Sequence, residues 1–290
     1  MIFNRGADMT VRGSRLLAAV AVTGVLLAAP AATAAADTNQ PQPIDRWKFA
    51  QAAGSPLSSP DEGSAHAAAV LGNGASVSPE EPLLPAPGFL RLDGATGYAE
   101  AAAAPLHADR SFTLTAWANS SDPTRDMTVL SQGTGTTSSV ALRWHYLGVD
   151  PYGGGPMGEW QATVADSDSP TAARTTVAHT ANISVLENWT HLALVYDADA
   201  SRLTLYVDGQ RENQSCEPDA SGCTPHVSSA PSVRPFDAGA GLEFGRARTD
   251  GAWGEYFAGS LDDVWVHQGV LSETRIAQLA DYNVELGTPG

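Results

Sequence analysis

The feature that most limits how this chain can fold lies between Trp189 and Gly209. From Arg202 to Val207, Leu203, Leu205 and Val207 alternate with Arg202, Thr204 and Tyr206, the period of two that sends successive side chains to opposite faces of an extended strand. The run ends on Asp208-Gly209, a turn dipeptide. A second apolar run, Trp189 to Tyr196, precedes it across Asp197-Ala198-Asp199-Ala200-Ser201. This reads as a hairpin with one buried and one partly wet face, which suits an antiparallel sheet better than a parallel one.

The pattern recurs along the chain. Trp47 and Phe49 alternate with charges in Arg46 to Ala50, and Phe112, Leu114 and Ala116 share one face of Ser111 to Trp117. Further runs at Ala67 to Leu71, Phe89 to Leu92, Thr128 to Gln132, Val140 to Tyr146, Glu159 to Val164, Gly241 to Gly245 and Tyr256 to His267 read as strands. Helix signals are confined to the end: Ser272 is a good N-cap, Leu271 and Ile276 form a flanking staple, and Ile276, Leu279 and Ala280 supply an apolar face. Arg211 to Gly241 has no sustained period and reads as a long surface loop. Many short strands with turn chemistry between them predict an all-β, two-sheet antiparallel β-sandwich with a short C-terminal helix.

Arg5, Arg12 and Arg15 precede an apolar run from Leu16 to Ala29 that stops at Pro30, and small residues follow. This is the layout of a secretory signal cleaved near Ala34 or Ala36, and the run is short for a membrane span. Met9 serves equally well as the start, and without an adjacent arginine pair the general export route is expected. The domain plan is therefore a signal peptide at 1–36, a polar leader at 37–44, one domain at 45–282 and a tail at 283–290. Cleavage removes three arginines and Asp8, taking the net charge from −16 to −18. Such a surface repels phosphate backbones and anionic lipids, so neither nucleic acid nor membrane is an expected partner. A secreted, extracellular monomer is the expectation. Cys216 and Cys223, the two cysteines of the chain, are expected to pair across a small loop in that oxidising setting.

Two groups of residues carry candidate chemistry. Asp262, in Gly259-Ser260-Leu261-Asp262-Asp263-Val264-Trp265-Val266, falls by strict alternation on the face of Val264 and Val266. An inward carboxylate requires a cation or several donors, which makes Asp262 a hydrogen-bond hub or a metal ligand. Aromatic rings in irregular surroundings are ligand-binding candidates, because a flat ring stacks on a sugar face. Trp144, Tyr152 and Trp160 bracket Gly153-Gly154-Gly155-Pro156, and Trp253 lies in Asp250-Gly251-Ala252-Trp253-Gly254. Core packing is the competing reading for Trp144 and Trp160. There is no Gly-x-Ser-x-Gly motif, and the seven histidines show no metal-like or nucleophile-like spacing.

Taken in order, Arg46-Trp47-Lys48-Phe49, Leu90-Arg91-Leu92-Asp93-Gly94 with Gly97-Tyr98, Ser111 to Trp117, Thr128 to Gly133, Trp189-Thr190-His191-Leu192-Ala193, Leu203 to Gly209 and Gly259 to Val264 resemble the laminin-G-like jelly-roll domain of the concanavalin A-like lectin/glucanase fold, as found in secreted actinobacterial proteins. The resemblance covers about residues 45 to 282. It implies a non-catalytic module that binds carbohydrate or another extracellular ligand, with structural calcium as a possible cofactor. It maps calcium ligands onto Asp262 and, more loosely, onto Asp61 in Ser59-Pro60-Asp61-Glu62-Gly63-Ser64, with backbone carbonyls and water completing the shell. It also places Trp47, Trp117 and Trp189 in the core and makes His191 structural. Glucan-cleaving members carry Glu-x-Asp-x-x-Glu on one strand, and no glutamate here starts that pattern; Glu159 and Glu243 read as lone strand carboxylates. No catalytic residue is therefore assigned. The alternatives are a glycoside hydrolase or polysaccharide lyase with a divergent carboxylate site, and a protein-interaction or structural module.

Overall fold

The computed structural model describes residues 40–79, 87–102, 106–133, 135–180, 188–214 and 226–281. The signal segment, the tail and the Cys216–Cys223 pairing lie outside the described residues. Two eight-stranded antiparallel sheets make a sandwich. The first runs β16 (Ser229–Pro231), β13 (Arg202–Val207), β12 (Thr190–Asp197), β7 (Phe112–Ser120), β20 (Ala258–His267), β5 (Phe89–Asp93) and β4 (Ala75–Ser78), with β1 (Pro43–Trp47) paired to the far half of β20. The second runs β11 (Arg174–Thr180), β10 (Pro156–Ala165), β9 (Val140–Val149), β8 (Met127–Gln132), β17 (Leu242–Phe244), β6 (Ala99–Ala101), β3 (Ala69–Leu71) and β2 (Ser58–Ser59). Two small hairpins complete the set: β14 (Asn213–Gln214) with β15 (His226–Val227), and β18 (Ala247–Thr249) with β19 (Ala252–Gly254).

The core lies between the sheets, where Leu114, Leu194, Leu205, Val264 and Val266 of the first meet Leu130, Leu142, Trp144, Trp160 and Phe244 of the second. Trp47 is fully buried, packs edge-on to Phe244 at 5.0 Å, and donates its indole N–H to the Ala67 carbonyl at 2.8 Å. The indole is thus buried with its polar tip satisfied. The hairpin read from Trp189 to Gly209 forms, with Leu192 opposite Val207 and Asp197 opposite Arg202. The expected helix is α1 (Glu273–Leu279), and the Ser272 side chain accepts from the Arg275 N–H at its start. Its Ile276 and Leu279 join Leu271 over Ala193, Val195, Tyr206 and Trp265 on the outer face of the first sheet.

Strict alternation fails at one consequential place. Asp262 stands opposite Trp117 and Trp265 opposite Thr115, with a register shift between them and Asp263 at a φ of 41°. The extra residue is a β-bulge, which adds one position to a strand and changes which face later side chains take. Asp262 therefore shares the outer face with Trp117 and Trp265, while Val264 and Val266 turn into the core. The expectation that Asp262 lies on the face of the valines is corrected by this bulge. Gly259 holds the same strand close to its neighbour: a Cβ there meets the Asn119 carbonyl oxygen at 2.1 Å, an approach only glycine permits.

Candidate functional site

An open groove of about 610 Å³ lies on the outer face of the first sheet, at the opposite end of β20 from Trp265 and the helix. Its floor follows from strand register. Ser76 of β4 pairs with Arg91 of β5, Arg91 with Ser260 of β20, and Ser260 with Asn119 of β7. Directly opposed residues share a face, so these four side chains form one polar row. With strands about 4.8 Å apart, the row spans about 14 Å. Their sequence neighbours Leu90, Leu92, Ala118 and Leu261 belong to the core. Trp189 and Phe89 form an aromatic wall, their rings edge-to-face at 5.7 Å and 71°. Phe89 is buried and Trp189 partly exposed, so the tryptophan offers surface while the phenylalanine braces it.

Asp93 closes one side. Its Oδ1 accepts from the backbone N–H groups of Ala95, Thr96 and Gly97 at 2.7 to 2.9 Å, and these donors pull its pKa down to about 2. The carboxylate is spent on the β5–β6 turn and sets the rim of the groove. The arrangement combines a ring face with hydroxyl, amide and guanidinium groups along an open trough, an apolar platform beside directional polar groups.

A second site of interest is buried. Asp61 accepts from the Arg46 N–H at 2.6 Å and the Gly63 N–H at 2.7 Å through Oδ1, and from the Ala67 N–H at 2.9 Å through Oδ2. It thereby ties the following loop to β1. The carboxyl beside it is Asp45, fully buried, and no N–H or hydroxyl donor reaches either of its oxygens. Burial pushes the Asp45 carboxyl up to about 8, and the charge of Asp61 and a hydrogen bond to it act in the same direction. A protonated Asp45 donating to Asp61 satisfies both groups, because Asp61 already has three donors to hold its charge.

A family model described as the concanavalin A-like lectin/glucanases superfamily matches residues 93–277. The chain belongs to this superfamily. No curated protein sequence matches it. Among solved structures, the binding domain of Paraclostridial Mosquitocidal Protein 1 is similar over 83% of this chain and 52% of its own, with 12% identity and a TM-score of 0.54. Domain 4 of AbnA, a GH43 extracellular arabinanase from Geobacillus stearothermophilus, in complex with arabinotriose, is similar over 83% of this chain and 100% of its own, with 13% identity and a TM-score of 0.52. The Botulinum Neurotoxin serotype G binding domain is similar over 82% and 50%, with 11% identity and a TM-score of 0.52. The chain thus spans about half the length of the toxin binding domains it resembles.

Within the superfamily fold, several expected sites move. Asp61 and Asp262 do not meet. Asp45, the carboxyl that faces Asp61, stands opposite Val266, whereas Asp262 is on the outer face with Trp117. Asp262 is fully buried; its Oδ1 accepts from the Asp263 N–H at 2.7 Å and its Oδ2 has no hydrogen-bond partner. Burial, with Asp263 adjacent, raises its pKa well above the ordinary range, and the group is not placed to share an ion with Asp61.

The aromatic candidates divide. Trp144 and Trp160 are 0% and 1% exposed and pack edge-to-face at 5.3 Å; both point into the sandwich and neither can stack on a ligand, which corrects that assignment. Trp253 sits on the β18–β19 hairpin, its ring occupied by the guanidinium groups of Arg246 at 4.0 Å and Arg248 at 4.7 Å. Tyr152 is 98% exposed at the tip of the β9–β10 turn, and none of the four lines the groove. Trp189, expected in the core, lines it instead. Of the polar row, only Arg91 was signalled as an outward position, between Leu90 and Leu92; Ser76 and Asn119 lay outside the strands read from sequence, and strict alternation put Ser260 on the face of the valines.

The lone strand carboxylates resolve as well. Glu243 is 2% exposed and stands opposite Glu100, with Arg246 2.7 Å from Glu243 and 3.6 Å from Glu100. Burial raises the Glu243 carboxyl to about 7 against the pull of Arg246. Glu243 is covered, Glu100 is partly exposed, and Arg246 lies between the two carboxyls as their shared ion-pair partner. Glu159 accepts from the Gln161 side chain at 2.7 Å on the outer face of the second sheet. His191 is buried beside Trp117, its pKa lowered to about 3 by desolvation.

Proposed function

We propose that the chain is a secreted, non-catalytic binding module that holds a short glycan in the groove between Trp189 and the row Ser76–Arg91–Ser260–Asn119. The observation that carries the reading is that row, which offers directional hydrogen bonds beside a partly exposed indole on a rigid sheet. The solved domain in complex with arabinotriose shares the fold and supports it. The test is a glycan array probed with the protein and with Trp189→Ala. Binding that disappears in the variant supports the proposal, and an array with no bound glycan for the unaltered protein overturns it.

Calcium enters this reading only at Asp45 and Asp61, where an ion would have to displace the proton that Asp45 otherwise holds; oxygen ligands from backbone and water would complete the shell. Chelation is then expected to lower the melting temperature of the protein and to leave Asp45→Asn unmoved. An identical melt with and without chelator removes calcium from the proposal. A second reading, a protein-docking module, is favoured by the apolar tip around Tyr152, where Leu147 and Val149 are 50% and 59% exposed. Tyr152→Ala separates the two, because it leaves glycan binding in the groove intact.

A further inference from the structure

Away from the groove and from Asp45, the turn before β7 and the segment before β17 bring His107, Asp109 and Asp237 together. One ligand atom from each lies within 4.8 Å of the others, and among the described residues no other trio of histidine, cysteine, aspartate or glutamate meets this closely. We propose that this trio is a zinc-class divalent metal site.

The argument begins with the frame. Gln132, fully buried at the end of β8, donates its amide N–H groups to the Leu106 carbonyl at 2.8 Å and the Ala240 carbonyl at 2.9 Å, so one side chain tethers both ligand-bearing segments. Gln268 grips the first of them, accepting from the His107 N–H at 3.0 Å and donating to the His107 and Ser111 carbonyls at 3.1 and 2.8 Å. Arg234 donates to the Asp109 carbonyl at 2.9 Å. Backbone on both sides is thereby held, while the His107 side chain, half exposed, retains room to turn.

The donor atoms suit the ion. His107 Nδ1 lies 2.8 Å from Asp237 Oδ2; ligands about 2.0–2.2 Å from a zinc ion sit roughly 3 to 3.4 Å from each other, so only a small opening admits the metal. Asp109 contributes independent evidence, because its Oδ1 is a fully buried oxygen with no hydrogen-bond partner, a state that a cation relieves. The Gly239 N–H donates to Asp237 Oδ1 at 3.1 Å, which orients the carboxylate with Oδ2 toward His107. Two carboxylates and one neutral imidazole carry a charge of −2, which balances a divalent ion. One imidazole nitrogen among the ligands favours zinc over calcium, which prefers an all-oxygen shell. Three protein ligands leave at least one coordination position for water or a donor from a partner. On binding, Nδ1 gives up its proton and the neutral ring carries one on Nε2.

The experiment is calorimetric titration of the protein with zinc chloride, with calcium chloride as a parallel arm, repeated for His107→Ala and Asp237→Asn. One zinc ion per chain is expected, bound about tenfold or more tightly than in either variant, a scale that even outer-shell partners of a metal reach. Equal melting temperatures of the metal-free proteins check that the variants fold. Cobalt substitution adds a spectroscopic readout, since visible bands without thiolate charge transfer mark a nitrogen and oxygen site. Zinc binding unchanged in the variants, no zinc binding at all, response to calcium only, or a thiolate band that places the metal on Cys216 and Cys223 each overturns the assignment.

Discussion

The two ends of the outer face of the first sheet are made from the same strands and meet opposite fates. At one end Ala193, Val195, Tyr206 and Trp265 are covered by Leu271, Ile276 and Leu279. At the other, Ser76, Arg91, Asn119 and Ser260 line an open groove. β20 contributes to both, Ser260 to the open end and Trp265 to the covered one. What separates them is the character of the outward residues: an apolar outer surface recruits a helix to exclude water, whereas a polar row beside a single indole remains open to solvent. The bulge at Asp263 lies between the two ends and lets Trp265 face the helix while Val264 and Val266 remain in the core.

The comparison breaks first at the covered end. Ile276→Ala is expected to cost about 2–5 kcal/mol in urea unfolding, the range for removing a fully buried aliphatic side chain; a loss below 1 kcal/mol would mean the helix is an optional cover. Asp45 tests the inner side of the adjacent strand pair. Its ordinary pKa of 3.8 rises to about 8 on folding, so between those values the folded chain holds one proton more than the unfolded chain. In chelator, stability should therefore fall as pH rises through this window, by at most about 1.4 kcal/mol per unit, and level off above it. Asp45→Asn should flatten that slope; parallel slopes in the two proteins would show that Asp45 does not carry the proton.

At the open end, Trp189→Ala should weaken glycan binding about tenfold, equivalent to 1.4 kcal/mol, as read by titration with the best array ligand. Ser272→Ala removes the cap of α1 and should cost about 1 kcal/mol, sharpening how firmly the cover is held. The smallest effect belongs to Ser260→Ala, expected within about 0.5 kcal/mol of the parent in stability while weakening the glycan. A large stability loss there would make the row structural and erase the contrast between the two ends.

Strands whose alternation was complete were legible residue by residue. β13 runs from Arg202 to Val207 as its sequence pattern predicts, and Ser272 caps the helix as expected. Edge and connecting pieces were not. β11 presents only Val177 as a buried residue, so its sequence carries no apolar period to read; β4, β16 and the β18–β19 hairpin are similarly short or polar. Trp189 read as core from its place in a recurring motif, yet it stands just ahead of β12, where the neighbouring Phe89 rather than the sandwich interior receives it. For Trp144 and Trp160 the phase was legible, since Val140, Leu142 and Trp144 share one face of β9 and Trp160, Ala162 and Val164 one face of β10; core packing was the reading that this alternation favoured.

By itself the sequence determined the class of the fold, the antiparallel pairing of its clearest strands, the helix start and the superfamily, because these follow from local periodicity, turn chemistry and motif order. Only the tertiary structure decided the sites. The groove exists because register aligns Ser76, Arg91, Ser260 and Asn119 from four strands. Asp61 faces Asp45 instead of Asp262 because one bulged residue reverses the face of a strand. His107, Asp109 and Asp237 meet because Gln132 ties together two segments more than a hundred residues apart in sequence. Each of these depends on which strand lies beside which and in what register, a non-local property that a period of two does not encode.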